Sequence, residues 1–164
     1  MTGVTQDYTA RQVDLECLQT VKEPVGTVEM SLTAVLGSSR RVAGVQKAIQ
    51  RSVTLLLTPS DSVPFASDAG NILLAALRSG GVSNTGYLRH LFNMANAVAL
   101  DIIRKDDYNI SQFGEQPDDE RIESVSLSGM TIDHSTSTLG LSLTFRTVAG
   151  SDYAYTLPIT TRHG

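Results

Sequence analysis

The sequence has no tryptophan, one cysteine (Cys17) and few aromatic residues of any kind. A single cysteine excludes an internal disulfide and a cysteine-rich zinc site. Because aromatic residues are scarce, a core must be built mainly from leucine, isoleucine, valine and alanine. A chain of 164 residues is long enough to form such a core as one domain.

The sequence also lacks long apolar runs and an excess of basic residues. No window approaches the ~18 apolar residues of a membrane-spanning helix, and residues 1–7 lack the apolar centre of a signal peptide. Lysine and arginine number 13 against 17 acidic residues, which argues against a nucleic-acid partner. We therefore expect no membrane partner, and a protein made in a reducing cytoplasm or assembled there into something larger.

The amino-terminal quarter of the chain is predicted to form a flexible arm followed by a β-hairpin. Residues 1–11 are predicted to be a flexible arm. Residues 12–36 alternate between apolar and polar side chains on both sides of a proline- and glycine-containing turn at 23–26, which predicts a β-hairpin extension. Residues 42–160 make up the rest of the single predicted domain, 1–164.

Helical spacing of apolar residues follows the hairpin. It predicts helices over 44–57, 72–78 and 85–105, with a polar loop over 106–119.

The predicted helix ends rest on a few residues. Asp68 or Asn71 is expected to cap the second helix, and Thr85 the third. Arg104 and Lys105 are expected to lie at the negative end of the third helix dipole.

The last third of the chain alternates with period two, as strands do. Strands are predicted over 125–132, 139–145 and 153–159, with a β-bulge at residues 128–129 and a turn at 149–152. The fold class is therefore α+β: a small mixed or antiparallel sheet packed against about three helices, with an amino-terminal hairpin.

Side chains with catalytic or metal-binding chemistry do not fall at useful spacings. His90, His134 and His163 lack the spacing of metal ligands, and no glycine-rich phosphate loop occurs. Acidic residues recur at 106–107 and 118–120, but runs in polar loops are usually solvated. We expect no metal, no cofactor and no catalytic residue, and hence no enzyme.

Glu120-Arg121 is the charged pair of most interest, and two interpretations stay open. It is either a solvated strand start with a local surface ion pair, or an interaction site. Arginine presents a rigid fork of donors that suits carboxylates or carbonyls at an interface.

The segment around this pair resembles a known family. Residues 117–125 precede two alternating strands and resemble the corresponding part of the contractile-tail baseplate wedge family, which includes phage subunits labelled "lysozyme-like" and a type VI secretion relative. The family hallmark is Glu-Pro-Arg-Ile; this chain has Glu120-Arg121-Ile122, without the proline. The family also has an apolar helix that ends in Leu-Leu-x-Thr and is followed by a polar loop, to which residues 49–70 are similar. The resemblance implies a family-like core over residues 42–160, with the hairpin as an extension outside it.

The resemblance implies a structural subunit within a large symmetric assembly. It implies contacts with larger wedge proteins through Glu120, Arg121 and Ile122, and with the tail sheath protein by strand addition at an open sheet edge. The hairpin would clasp a neighbour. The implied location is a virion tail baseplate assembled in the host cytoplasm.

Two other functions stay open. One is a lysozyme-like cell-wall hydrolase, and the other is a different tail protein, such as a terminator or tube-completion protein. The latter would form closed rings alone, whereas a wedge subunit is expected to stay small without partners.

Overall fold

The structure is a computed structural model that describes residues 14–15, 19–22, 28–31, 41–60, 62, 70–78, 84–133 and 138–160. Three α-helices lie within these ranges: α1 (Gly44–Leu57), α2 (Leu73–Arg78) and α3 (Thr85–Ser111). A short 3₁₀ turn, Asp118–Glu120, precedes the main strands.

The described strands form two sheets. They are β1 (Asp14–Leu15), β2 (Gln19–Lys22), β3 (Val28–Ser31), β4 (Arg41–Val42), β5 (Ile122–Asp133), β6 (Thr138–Thr147) and β7 (Asp152–Thr160). β1 pairs with β4, and the larger sheet has the order β2-β3-β7-β6-β5. Its β5-β6-β7 part is an antiparallel meander, whereas β3 joins β7 in parallel.

One face of the meander supplies the strand side of the core. Along β6, alternate residues are buried, as the period of two requires. The aromatic rings of Phe145 and Tyr155 meet edge to face, with centroids 6.1 Å apart. The helices contribute the other side of the same cluster, largely with leucine, isoleucine, valine and alanine side chains. The predicted α+β class is confirmed.

The amino-terminal hairpin forms, and it joins the main sheet of the same chain. β2 and β3 pair antiparallel as predicted, and β3 then pairs with β7 of the same chain through Glu29 and Thr156. One edge of the hairpin is therefore paired within the same chain. Alternation of apolar and polar residues predicts a strand but not the strand with which it pairs. The pairing of β3 with β7 could therefore not be predicted from the sequence. The predicted arm, 1–11, lies outside the described residues.

The third helix is longer than predicted at its carboxyl end. It continues to Ser111, so the predicted loop over 106–119 was wrong for its first six residues. The reason is tertiary: Arg51 of α1 donates to the carboxylates of Asp106 (2.6 Å) and Asp107 (2.8 Å), which holds this acidic pair in helical conformation.

The expected end groups of α3 are also different. Asn84 caps the helix by accepting from the backbone N–H of Tyr87 at 2.7 Å, so Thr85 is not the cap. Arg104 and Lys105 lie inside the helix and not at its end. Lys105 pairs with Asp101, and Arg104 donates to the carbonyl of Glu123.

Asn71 joins the first two helices, and its predicted capping role is confirmed. Its Oδ1 accepts from the N–H of Leu73 at the start of α2. Its Nδ2 donates to the carbonyls of Leu55 and Leu56 at the end of α1. Gly70 precedes it with φ 108°, and a Cβ there would collide with the carbonyl of Pro59. A single buried amide thus satisfies groups at two helix ends.

We expect Asn71→Ala to lower the free energy of unfolding by about 2–4 kcal/mol, because a buried N–H and two helix-end carbonyls lose their partner. Urea denaturation measures the change. Asn93→Ala, on the exposed side of α3, is the matched control and should change stability by less than about 0.5 kcal/mol. Equal effects in the two variants would contradict the junction.

Candidate functional site

The segment that carries the resemblance is held in place by its backbone. The N–H of Glu120 donates to the carbonyl of Pro117 at 2.9 Å, which closes the 3₁₀ turn. The N–H groups of Val148 and Ala149, in the β6–β7 turn, donate to the carbonyls of Arg121 and Asp118. The 3₁₀ turn is therefore hydrogen-bonded to the β6–β7 turn at the end of the sheet. These bonds fix the backbone from which its side chains project.

Glu120 points inward and does not behave as a solvated strand start. Its side chain is 1% exposed, and its Oε1 accepts from the N–H of Gly44 at 3.1 Å. Gly44 begins α1 with φ 64°, in the left-handed region that favours glycine. Ala43, the residue at the cap position, has no side-chain group to offer. A carboxylate 76 residues away in the chain therefore caps α1 and complements its dipole.

Lys47 lies on the other side of this carboxylate. Its Nζ is 4.0 Å from Oε2 of Glu120. Burial lowers the pKa of Lys47, and the negative charge of Glu120 partly opposes that shift. The attraction between the two charges therefore offsets only part of what it costs to bury the ammonium group.

Arg121 points outward. Its side chain is 44% exposed and makes an ion pair with Asp118 at 3.3 Å. It makes no ion pair with Glu120, so the two residues do not act as one charged pair. Ile122 follows with its side chain in the core. Of the three residues expected to bind a partner, only Arg121 presents its side chain to solvent.

Arg121 lines a groove of about 1040 Å³ between the last turns of α3 and the start of β5. Arg104 and Tyr108 line it from α3, and Val148 from the β6–β7 turn. Its carboxylates belong to Asp107, Glu115, Asp118 and Glu123. The groove is large enough to hold several side chains of another molecule.

The acidic residues considered for glycoside cleavage have other contacts in the structure. Asp106 and Asp107 bind Arg51, Asp118 binds Arg121, and Glu120 caps α1. Ion pairs and caps of this kind are structural uses of a carboxylate.

Several groove residues were not identified from the sequence. Tyr108 lies in the part of α3 that extends beyond the predicted helix, whereas Arg104 was expected at the helix end and not in a groove. Phe113, just after α3, could have been noticed in the sequence, because it is an aromatic residue in an otherwise polar, turn-rich stretch. The sequence indicates the burial of Glu120 only weakly. Ala43 cannot cap the helix that follows it, so that helix needs a cap from elsewhere in the chain.

The described part of the chain holds neither a metal-binding cluster nor a membrane-spanning helix. Within ranges 14–15, 19–22, 28–31, 41–60, 62, 70–78, 84–133 and 138–160, no three histidine, cysteine or acidic residues are grouped so as to hold a metal ion. In the same ranges, every helix is too short or too polar to cross a bilayer.

Comparison with known proteins gives no relative. No protein-family model, no curated protein and no solved structure matches the chain at a significant level.

We expect Glu120→Gln to lower the free energy of unfolding by about 1–2 kcal/mol, because the cap of α1 loses its charge and Lys47 loses its counterion. Denaturant unfolding at neutral pH measures the loss. Glu115→Gln, an exposed acid on the same side of the protein, is the control and should have little effect. An unchanged stability in Glu120→Gln would contradict the cap.

Lys47 predicts a pH dependence. Its folded pKa lies below the ordinary 10.5, so the unfolded chain binds this proton more tightly and stability rises with pH between the two values. In Lys47→Met this contribution to the rise is absent. The other groups that titrate at alkaline pH are common to both proteins, so they cancel in the difference between the two free energies of unfolding. Urea unfolding from about pH 8 upward should therefore show wild type gaining on the variant. A constant difference between them would contradict the prediction.

Proposed function

We propose that this chain is a structural subunit of a contractile-tail baseplate wedge that acts by stoichiometric assembly and has no catalytic turnover. The proposal combines the resemblance of residues 117–125 with one observation: Arg121 is exposed on the wall of a large groove. In this proposal the subunit is part of a virion tail baseplate and contacts larger wedge proteins and the tail sheath protein.

The local geometry supports Arg121 as the contact residue. Its backbone is held by Val148, while its guanidinium has one ion pair, at 3.3 Å, with an exposed carboxylate. Such a surface pair contributes little to stability, and arginine has five N–H donors. Most of these donors are available for a carboxylate or for carbonyls of a partner. Arginines in such positions are often the residues that dominate binding energy.

Glu120 and Ile122 have a different part in the proposal. Both side chains are buried, so neither touches a partner that binds the present surface. They position Arg121 instead: Glu120 fixes the segment to α1, and Ile122 fixes it to the core. We therefore propose that one residue of the three makes the contact and that its two neighbours set its direction.

The carboxylate contacts favour assembly over hydrolysis. A retaining or inverting glycosidase needs two carboxyl groups that face one substrate. Three of the four carboxylates that line the groove are instead engaged in ion pairs: Asp107 with Arg51, Asp118 with Arg121, and Glu123 with Arg146. No observation specifically favours a terminator or a tube-completion protein.

The test is recovery of partners with tagged protein from the cells that produce it. We expect wild type to co-purify large baseplate proteins, and Arg121→Ala to lose at least about tenfold of that recovery, as removal of a central arginine does at other interfaces. Arg89→Ala, an exposed arginine elsewhere on α3, is the matched control and should recover partners normally.

Three outcomes have distinct consequences. Unchanged recovery with Arg121→Ala would remove this residue from the contact. Absence of baseplate partners with wild type would overturn the proposed function. Clearing of peptidoglycan by the purified protein would favour the hydrolase instead.

A further inference from the structure

Two aromatic side chains beside the groove are more exposed than their size would suggest. Phe113, just after α3, is 94% exposed and Tyr108, in the last turns of α3, is 67% exposed. The N–H of Phe113 donates to the carbonyl of Ile110 at 2.9 Å, so its backbone is fixed while its ring lies in solvent. Val148, in the turn opposite, is also exposed.

These residues belong to one continuous surface. Tyr108 and Val148 line the large groove, and Phe113 lines a second cavity of about 170 Å³. Residues 115–117 line both cavities and form the ridge between them. We call Tyr108, Phe113, Val148 and this ridge the aromatic face.

The aromatic face has the composition of an interface centre. Burying such a side chain at an interface is favourable, although a single exposed apolar residue needs no explanation. Here three lie beside two concavities, which is the arrangement that lets apolar side chains of two molecules interlock.

The charges around the aromatic face are mainly negative. Arg51 is shared by Asp106 and Asp107, so one carboxylate charge is left over. Glu115, on the ridge, has no ion-pair partner among the residues that the structure describes.

A second shared arginine adds to this excess. Arg146 lies between the carboxylates of Glu123 (3.1 Å) and Asp152 (3.7 Å). On the groove wall, Arg121 is balanced by Asp118, and Arg104, which donates to a backbone carbonyl, offsets part of the excess. The field at this surface therefore favours cationic groups on a partner.

We propose that the aromatic face binds a cationic, amphipathic segment of a partner protein. Apolar side chains of that segment contact Tyr108, Phe113 and Val148, and its lysines or arginines lie near Glu115. The identity of the partner as a wedge protein rests on the proposed function, whereas the chemistry of the contact rests on the residues above.

Because the chain contains no tryptophan, one substitution gives a local fluorescent reporter. Phe113→Trp places it on the aromatic face, and Met94→Trp places it at another exposed apolar position, on α3. The probes are two synthetic helical peptides of identical apolar pattern, one with lysine and one with glutamate at every polar position.

The lysine peptide is expected to shift the emission of Phe113→Trp to shorter wavelength in a saturable way, and to leave Met94→Trp unchanged. The glutamate peptide should shift neither. Adding Glu115→Lys to Phe113→Trp should weaken binding of the lysine peptide by about threefold to tenfold, as reversal of one rim charge does.

Equal binding of both peptides, an equal response of Met94→Trp, or no response would overturn the proposal. Failure here while wild type still recovers baseplate proteins would overturn this inference alone. Peptide binding as expected, with no baseplate protein recovered from cells, would overturn the proposed function and leave the aromatic face as a binding site.

Discussion

The hydrogen bond from the N–H of Gly44 to the buried carboxylate of Glu120 is the constraint on which the rest of the candidate site depends. It connects the start of α1 to the segment that enters the sheet, two parts of the chain that are far apart in sequence. α1 has no cap of its own, so it needs this carboxylate. The segment needs it too, because an inward Glu120 leaves Arg121 at the surface. Folding and presentation of the candidate contact therefore use the same bond.

The groove depends on a second link between the same elements. Arg51 of α1 binds the acidic pair of α3, and α3 continues past that pair far enough to place Tyr108 in the same groove as Arg121. α1 thus positions both walls of the groove. The N–H group at its start binds Glu120, and Arg51 in its middle binds the carboxylates near the end of α3. This explains why a small domain with a largely aliphatic core can hold a fixed groove at its surface.

Much of the fold could be predicted from the sequence. Apolar periodicity defined α1 to the residue and located the meander with its bulge at Ser128, because a repeating pattern reports burial directly. What it missed were tertiary effects. The extension of α3 depends on Arg51, and the hairpin's partner depends on the three-dimensional sheet order. The inward direction of the Glu120 side chain could not be predicted from the neighbouring sequence, because it depends on a contact with Gly44, which is distant in the chain.

Hydrogen exchange at the Gly44 amide would test the central claim most directly. The first N–H groups of a helix have no partner within it and normally exchange fast. If Glu120 caps α1 as described, the Gly44 amide should be protected to a degree similar to the buried core of α1, and Glu120→Ala should abolish that protection. Rapid exchange at Gly44 in the wild-type protein would show that the carboxylate is not bound there, and that Glu120 does not hold Arg121 at the surface.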